Sequence, residues 1–545
     1  MSLTIFKRPS TGSIPLCFLV AIYLLAALNL PFFNDAFNVF GGFHAGFFGF
    51  ALAVMFLITA GLVLVSASYV IKPALVLVIL SGAVASYFTD TFGVIIDKEM
   101  LRNVAVTTPQ EAGHLITPPF LLHVLFFGVL PSAFVLLVRV RHRPFIQMLA
   151  ANTVVVTLLL LGCVGLALSN YAGISSNIRQ HRDMMAKLTP FSPITSAISL
   201  GVSAYRDAGV VRVPIGLDAR LGPVIAKSVR PVVTVIVAGE TARAMNFSLN
   251  GYARETNPEL KALGVVNFPQ TTSCGTATAV SLPCMFSVYR KKDYSDRKAR
   301  STDTLMDVLH RAGIESVWWD NNTGSKGIAD LVSFASVTRQ KDSVFCRDGE
   351  CLDEIFVAEL DRKLAGVTRN TTIVLHQAGS HGPAYFQRYP DAFRRFMPDC
   401  RTAQLSDCSN EEILNAYDNT ILYTDHNLAA VIRLLKKHEA TVTGAMIYMS
   451  DHGESLGENG LYLHGAPYMF APVQQTHVPF ITWFSDSYAQ VTGLSLACVQ
   501  GIANAPASHD NLFHTVLGMM NVVTNVYDRS LDVLEPCRSQ TTTAS

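Results

Sequence analysis

Apolar residues follow two rhythms that divide the chain. Through the first 170 residues they come in blocks, with Asp, Glu, Lys and Arg absent from 9–34, 36–71, 73–89, 112–138 and 144–178. Each block holds an apolar core of about 17 to 25 residues, the length a helix needs to cross a bilayer. Five spans are expected, near 14–33, 45–66, 71–89, 118–138 and 149–168. The first does not read as a cleaved signal peptide, because no Ala-x-Ala-like end follows it and four more spans come after. From about residue 216 short β-branched runs alternate with helical stretches. Strands are expected at 231–238, 315–319, 371–376, 444–449 and 478–484, with helices over 302–311, 353–364 and 411–437. That alternation predicts an α/β domain over 216–545, a mostly parallel sheet flanked by helices. Residues 171–215 form a linker in which Met184, Met185, Leu188, Phe191 and Ile194 stand among polar residues, a pattern that suits the membrane surface as well as a solvated connection. Residues Thr541–Ser545 make a short polar tail.

Half of the 545 residues are hydrophobic and only 15% are charged, which agrees with a chain partly in lipid. Charge also sets its orientation. Lys7, Arg8, Lys72, Arg139, Arg141 and Arg143 fall on one side of the spans, while Asp35, Asp90, Asp97, Glu99 and Glu111 fall on the other. The positive-inside rule places the N-terminus in the cytoplasm, and five spans deliver the second half to the periplasm of a bacterial inner membrane. A net charge of +1 argues against a nucleic-acid partner.

Cysteine usage tests that placement. Cys17 and Cys163 lie inside expected spans, and the other eight fall in the second half as close pairs: Cys274 and Cys284, Cys346 and Cys351, Cys400 and Cys408, and, farther apart, Cys498 and Cys537. An even, paired set fits disulfides in an oxidising compartment. A zinc–thiolate cluster is the alternative, but no Cys-x-x-Cys occurs.

Candidate chemistry gathers where strands end. The run 444–449 breaks into Ser450-Asp451-His452, the run 232–237 into Gly239-Glu240-Thr241, and the run 372–375 into His376 and His381. Reactive groups in open α/β sheets collect beyond the carboxyl ends of the strands, and Asp, Glu and His supply the oxygens and nitrogens that Zn²⁺ accepts. The segment 271–281 is dense in hydroxyls. One at a helix start beside a divalent metal can act as a nucleophile, and spacing alone leaves Ser273, Thr276, Thr278 and Ser281 as candidates. His381 and His464 sit in glycine-bearing loops, as acids, phosphate donors or further ligands, and Lys326 in a loop able to meet an anion.

Together, Gly239–Ala244, Ser248–Tyr252, Thr272–Ala279, His381–Tyr385 and Ser450–Asn459 resemble the lipid A phosphoethanolamine transferases, the family that includes the mobile colistin-resistance enzymes. The resemblance covers the whole chain and implies an alkaline phosphatase/sulfatase-like periplasmic domain behind five membrane helices. Carried over by position, it implies Thr278 as nucleophile, with Glu240, Thr278, Asp451 and His452 around Zn²⁺. Lys326, His381 and His464 resemble the residues that hold phosphoethanolamine and help proton transfer, with His376 a candidate support behind the ligands. The implied reaction takes phosphoethanolamine from phosphatidylethanolamine onto Thr278, releasing diacylglycerol, and then to a lipid A phosphate, in a monomer surrounded by membrane lipids. An inner-core lipopolysaccharide sugar is an alternative acceptor.

Other functions explain less. A sulfatase needs Cys or Ser in Cys/Ser-x-Pro-x-Arg, and here Ser281-Leu-Pro-Cys-Met285 puts Met at the Arg position. A glycerolphosphate transferase of the lipoteichoic acid synthase type shares five spans and a threonine nucleophile, without an expectation of four cysteine pairs. A scaffold module leaves the strand-end ligands unexplained.

Overall fold

The computed structural model describes residues 8–169, 171–339, 344–347 and 349–539; Lys7 and the tail Thr541–Ser545 lie outside the described residues. The chain forms two units. One comprises the residues up to Leu101 with Ile116–Gly201, the other Arg102–Leu115 with the residues from Val202 on.

Among the described residues of the first unit, four helices are long and apolar enough to cross a membrane: α3 (Ala45–Leu64), α4 (Ile71–Phe92), α7 (Pro118–Leu137) and α8 (Phe145–Ser169). Where hydropathy expects one span near 14–33, there are two helices, α1 (Ser13–Leu28) and α2 (Leu30–Phe40), bent by 77°. Asn29 leaves the helical conformation at φ −135°, ψ 35°, and Pro31 in the first turn of α2 has no N–H with which to continue α1. The Asn29 amide fills the break by donating to Leu24 O and Thr189 O, both at 2.8 Å. A second proline is accommodated in α7, which contains a π turn over Leu125–Val129. Pro131 cannot donate to Phe127 O four residues back, and the Tyr23 hydroxyl donates to that carbonyl at 2.6 Å instead.

The second unit includes α5, most of which (from Arg102) belongs to it, in the range Lys98–Val106, and α6 (Pro109–Leu115). Its centre is a seven-stranded sheet. In chain order the strands are β1 (Val232–Gly239), β2 (Val266–Asn267), β3 (Glu315–Asp320), β4 (Ser333–Ser336), β5 (Thr371–His376), β6 (Thr443–Ser450) and β7 (Phe480–Phe484), arranged β2-β7-β6-β1-β5-β3-β4. Strands β6, β1, β5, β3 and β4 run parallel, while β7 and β2 complete the sheet in antiparallel fashion. The central strands carry apolar cores because both faces are covered: every residue of β1, β5 and β6 is buried, the threonines and the terminal His376 and Ser450 included. The long helix α10 (Asn410–Lys437) opens on a Ser409–Glu412 capping box and packs against β6. All four cysteine pairs are disulfides: Cys274–Cys284, Cys346–Cys351, Cys400–Cys408 and Cys498–Cys537.

Candidate active site

Register aligns the strand ends. His376, the last residue of β5, pairs with Ala238 of β1 on one side and Asp320 of β3 on the other, and Ser450 of β6 pairs with Gly239. Glu240, Asp451 and His452, each just beyond a strand, therefore meet at one edge of the sheet. The loop after β5 closes over Glu240 at Gly379, whose φ is +56°. A Cβ there would stand 2.4 Å from Glu240 O, so the approach requires glycine. Thr241, beside the cluster, also holds a positive φ of 58°.

Glu240, Asp451 and His452 are buried and form a group able to hold a metal ion, with their ligand atoms within 4.8 Å of one another. His452 Nε2 lies 3.2 Å from Glu240 Oε1 and 3.4 Å from Asp451 Oδ2. Its Nδ1 faces the Gly453 carbonyl at 3.0 Å and must donate to it, so in the neutral ring the lone pair is on Nε2, pointing at the carboxylates. Asp451 Oδ1 accepts from the N–H groups of Thr241 (3.2 Å) and His452 (2.7 Å), whereas Oδ2 is buried with no hydrogen-bond partner. An unpartnered buried carboxylate oxygen beside an imidazole lone pair is the donor chemistry of a divalent-metal ligand set. Charge tells the same story. Burial pushes Asp451 up to about 6, with Glu240 adding to the shift, while His452, despite burial, is raised to about 10 by Asp451 and Glu240. Two carboxylates without enough positive charge between them are the physical demand a cation satisfies.

Of the four hydroxyls that spacing left open, only Thr278 meets this group. Its Oγ1 lies 3.0 Å from Glu240 Oε2, 3.2 Å from Oε1 and 3.3 Å from His452 Nε2. Thr278 is the first residue of the helix α9 (Thr278–Met285). The others are tied to backbone: Ser273 donates to Gly275 O (2.6 Å), Thr276 to Ala466 O (2.7 Å), and Ser281 to Asp451 O.

Around this centre lie the two loop histidines and the lysine. The His464 ring is 4.4 Å from that of His452 and 5.0 Å from that of His381. His464 Nδ1 addresses Glu454 Oε2 at 2.8 Å, and Tyr385 donates to the other oxygen of Glu454 at 2.6 Å. Burial lowers the pKa of His464 in spite of Glu454, whereas His381, also opposed by burial, is raised to about 9 by Glu111 and Glu240. Neutral and cationic histidines thus stand side by side. Lys326 holds a φ of 52° and donates to Thr323 O and Oγ1 at 2.8 and 2.6 Å; burial lowers its pKa against the pull of Asp320 and Glu240. His376 Nδ1 pairs with Asp320 at 2.6 Å, and its Nε2 is buried without a hydrogen-bond partner.

Three residues of the site escaped the sequence reading as participants. Asn322 donates to Glu240 Oε2 at 2.8 Å and follows β3, so the strand-end rule could have found it. Glu454 stands three residues beyond Asp451. Glu111 pairs with His381 at 2.8 Å, and nothing in its local sequence signals that role.

Comparison with known proteins agrees with this architecture. Residues 54–205 match the family described as Phosphoethanolamine transferase EptA/EptB, and residues 233–522 the family described as Sulfatase. Met285 remains at the position where the sulfatase motif needs Arg, and it is buried in the hydrophobic core. Phosphoethanolamine transferase EptA of Escherichia coli (strain K12) is 38% identical over 98% of each chain, and Phosphatidylethanolamine transferase Mcr-1 of Escherichia coli is 35% identical over 97% of this chain and 98% of its own. Among solved structures, the integral membrane protein lipooligosaccharide phosphoethanolamine transferase A (EptA) from Neisseria meningitidis superposes with a TM-score of 0.94 at 35% identity, covering 97% of this chain and 99% of that one.

Proposed function

The chain belongs to the EptA-type phosphoethanolamine transferases, and from that premise we propose that it moves phosphoethanolamine from phosphatidylethanolamine to a lipid A phosphate through a phosphothreonine at Thr278. The observation that carries the reading is the contact of Thr278 Oγ1, alone among the candidate hydroxyls, with Glu240 and His452.

In the first step Thr278 Oγ1 bonds to the donor phosphorus, the bond from phosphorus to the glycerol oxygen breaks, and diacylglycerol leaves. In the second an oxygen of the acceptor phosphate attacks the phosphothreonine, the P–Oγ1 bond breaks, and Thr278 recovers its proton. Splitting the transfer lets two bulky lipids approach the same atom in turn. His381, cationic at neutral pH, gives a proton to the departing glycerol oxygen. His464, kept neutral by burial and with Nδ1 committed to Glu454, presents Nε2 to take up the Thr278 hydroxyl proton in the first step and to return it in the second, while the acceptor phosphate gives its own proton to re-protonate His381. Lys326 holds the phosphoryl charge.

The proposed metal is Zn²⁺, held by Glu240, Asp451, His452 and Thr278. When bound it lowers the pKa of the threonine hydroxyl and offsets phosphoryl charge. Carboxylate oxygens together with an imidazole nitrogen are a donor set that this ion accepts.

We propose a membrane domain over 1–170, a linker over 171–215 and a catalytic domain over 216–545, acting as a monomer with the catalytic domain in the periplasm of a bacterial inner membrane. The apolar helices and the four disulfides support that placement. Esterifying a lipid A phosphate adds an ammonium, so the outer surface attracts polycations such as colistin less strongly.

Reconstitution of the purified full chain with phosphatidylethanolamine and lipid A tests the reading. Diacylglycerol release with phosphoethanolamine on a lipid A phosphate is expected; release with addition only to core sugars changes the acceptor, and no release overturns the reaction.

A further inference from the structure

We propose that a cavity beside helix α9 receives the phosphate-bearing sugar head of the acceptor, an inference that rests on the transferase reading above. The cavity, of ≈ 560 Å³, lies wholly within the second unit. That volume matches a site for one small polar head group rather than a whole diacyl lipid. Ala279 and Pro283 form one wall, and Ala279 directly follows the proposed nucleophile. Lys326 lines another wall, so the residue proposed to hold the phosphoryl group also borders this space.

Charge identifies the occupant. Three arginines and one lysine line the cavity. Arg102 is committed to Asp296, and Arg212 donates to Gly327 O at 2.9 Å beside Asp303 and Asp307. Arg300, which is exposed, has no carboxylate partner among the described residues, and Lys326 donates its hydrogen bonds to the neutral oxygens of Thr323, with Asp320 and Glu240 acting on its charge from outside the cavity lining. Asp330, also exposed, is the lining carboxylate left without a cation, so within the lining two cations outside any ion pair, Arg300 and Lys326, face one such carboxylate. That surplus favours an anion. The phosphodiester of the donor carries about one negative charge, whereas the phosphomonoester of the acceptor carries between about one and two and gains more from a paired guanidinium. Apolar lining from Ile328 and Leu331 suits the C–H faces of a sugar ring.

The geometry accounts for two lipids meeting at one threonine: their reacting phosphates occupy the position at Thr278 in turn, and the acceptor phosphomonoester enters it through this side cavity, past Arg300 and Lys326, with its sugar left in the cavity. Arg300 then sets acceptor affinity without touching the donor.

The test separates the half-reactions of the full chain in detergent micelles. Arg300→Glu is expected to raise the KM for lipid A at least roughly tenfold, the loss of one charge-assisted contact. It should slow diacylglycerol release from phosphatidylethanolamine less than about twofold, and Arg300→Lys should restore most of the acceptor affinity. Ala299→Trp, which narrows the cavity while leaving its charges in place, should raise the same KM. An equal fall in the donor step would assign the cavity to the donor and overturn the proposal. An unchanged acceptor KM in both Arg300→Glu and Ala299→Trp would overturn it as well, provided the wild-type chain modifies lipid A. If the wild-type chain itself fails to modify lipid A, the transferase reading fails first.

Discussion

The Glu111 carboxylate and the His381 imidazole stand 2.8 Å apart, Oε1 to Nε2, with Glu111 drawn from a helix of seven residues that lies in sequence between two apolar helices. Burial opposes both charges, yet each stabilises the other: His381 holds Glu111 down to about 2, and Glu111 raises His381 to about 9. Removing the carboxylate by Glu111→Gln should let His381 lose its proton at lower pH. If His381 works as a cation, the alkaline limb of the pH–rate profile moves to lower pH, so activity falls severalfold at pH 8 and little at pH 6. An unshifted limb would mean that another group controls it. The pair also stabilises the fold. Glu111 contributes fully above its ordinary 4.5 and loses its contribution as pH falls toward 2; His381 contributes fully below its ordinary 6.5 and loses it as pH rises through about 9.

Thr278→Ala and Ser281→Ala should separate chemistry from scaffold. The first removes the proposed attacking oxygen and is expected to lower turnover by a factor on the order of 10³ or more, with the melting temperature nearly unchanged. The second removes the donor to the Asp451 carbonyl, at a cost of about 1 to 3 kcal/mol in stability and a smaller loss of rate. Thermal melts beside turnover assays check both. Substantial turnover in Thr278→Ala would contradict the assignment of the nucleophile.

Metal content should divide the histidines. Glu240→Ala, Asp451→Ala and His452→Ala are expected to lose bound zinc, while His381→Ala and His464→Ala keep it and turn over slowly. Elemental analysis of the purified variants decides the matter, and zinc loss in all five would make the outer histidines ligands too.

The disulfides should differ in weight according to the loops they close. Replacing both cysteines of the Cys498–Cys537 pair, 39 residues apart, is expected to cost about 4 kcal/mol, against about 3 for Cys274–Cys284, 10 apart, by loop-closure entropy. The shorter loop encloses Thr278, so its loss should also depress turnover. Denaturant melts with matched activity assays would show the inversion in rank that contradicts this.

The legible part of the molecule was the part governed by periodicity. The largely apolar cores of β1, β5 and β6 announce buried parallel strands, and the ends of β1 and β6 announce Glu240, Asp451 and His452 before any contact is known. The edge strands Val266–Asn267 and Ser333–Ser336 are too short or too polar to stand out against loops. Hydropathy could not register the bend at Asn29, because Asn and Pro within an apolar block still average as a span. The hydroxyl cluster was ambiguous for a different reason: four candidates share one loop, and which one faces Glu240 depends on hydrogen bonds to Gly275, Ala466 and Asp451 that only the fold supplies. Glu111 is the extreme case, since its partner lies 270 residues away.

The central claim is that Thr278 passes phosphoethanolamine to a lipid A phosphate, and lipid A mass spectra from a susceptible Gram-negative cell test it most directly. Cells expressing the wild-type chain should yield lipid A carrying added phosphoethanolamine and should resist polymyxins, while cells expressing Thr278→Ala to the same level should show neither. Identical lipid A in the two cultures, or addition confined to core sugars in the wild type, would contradict the account.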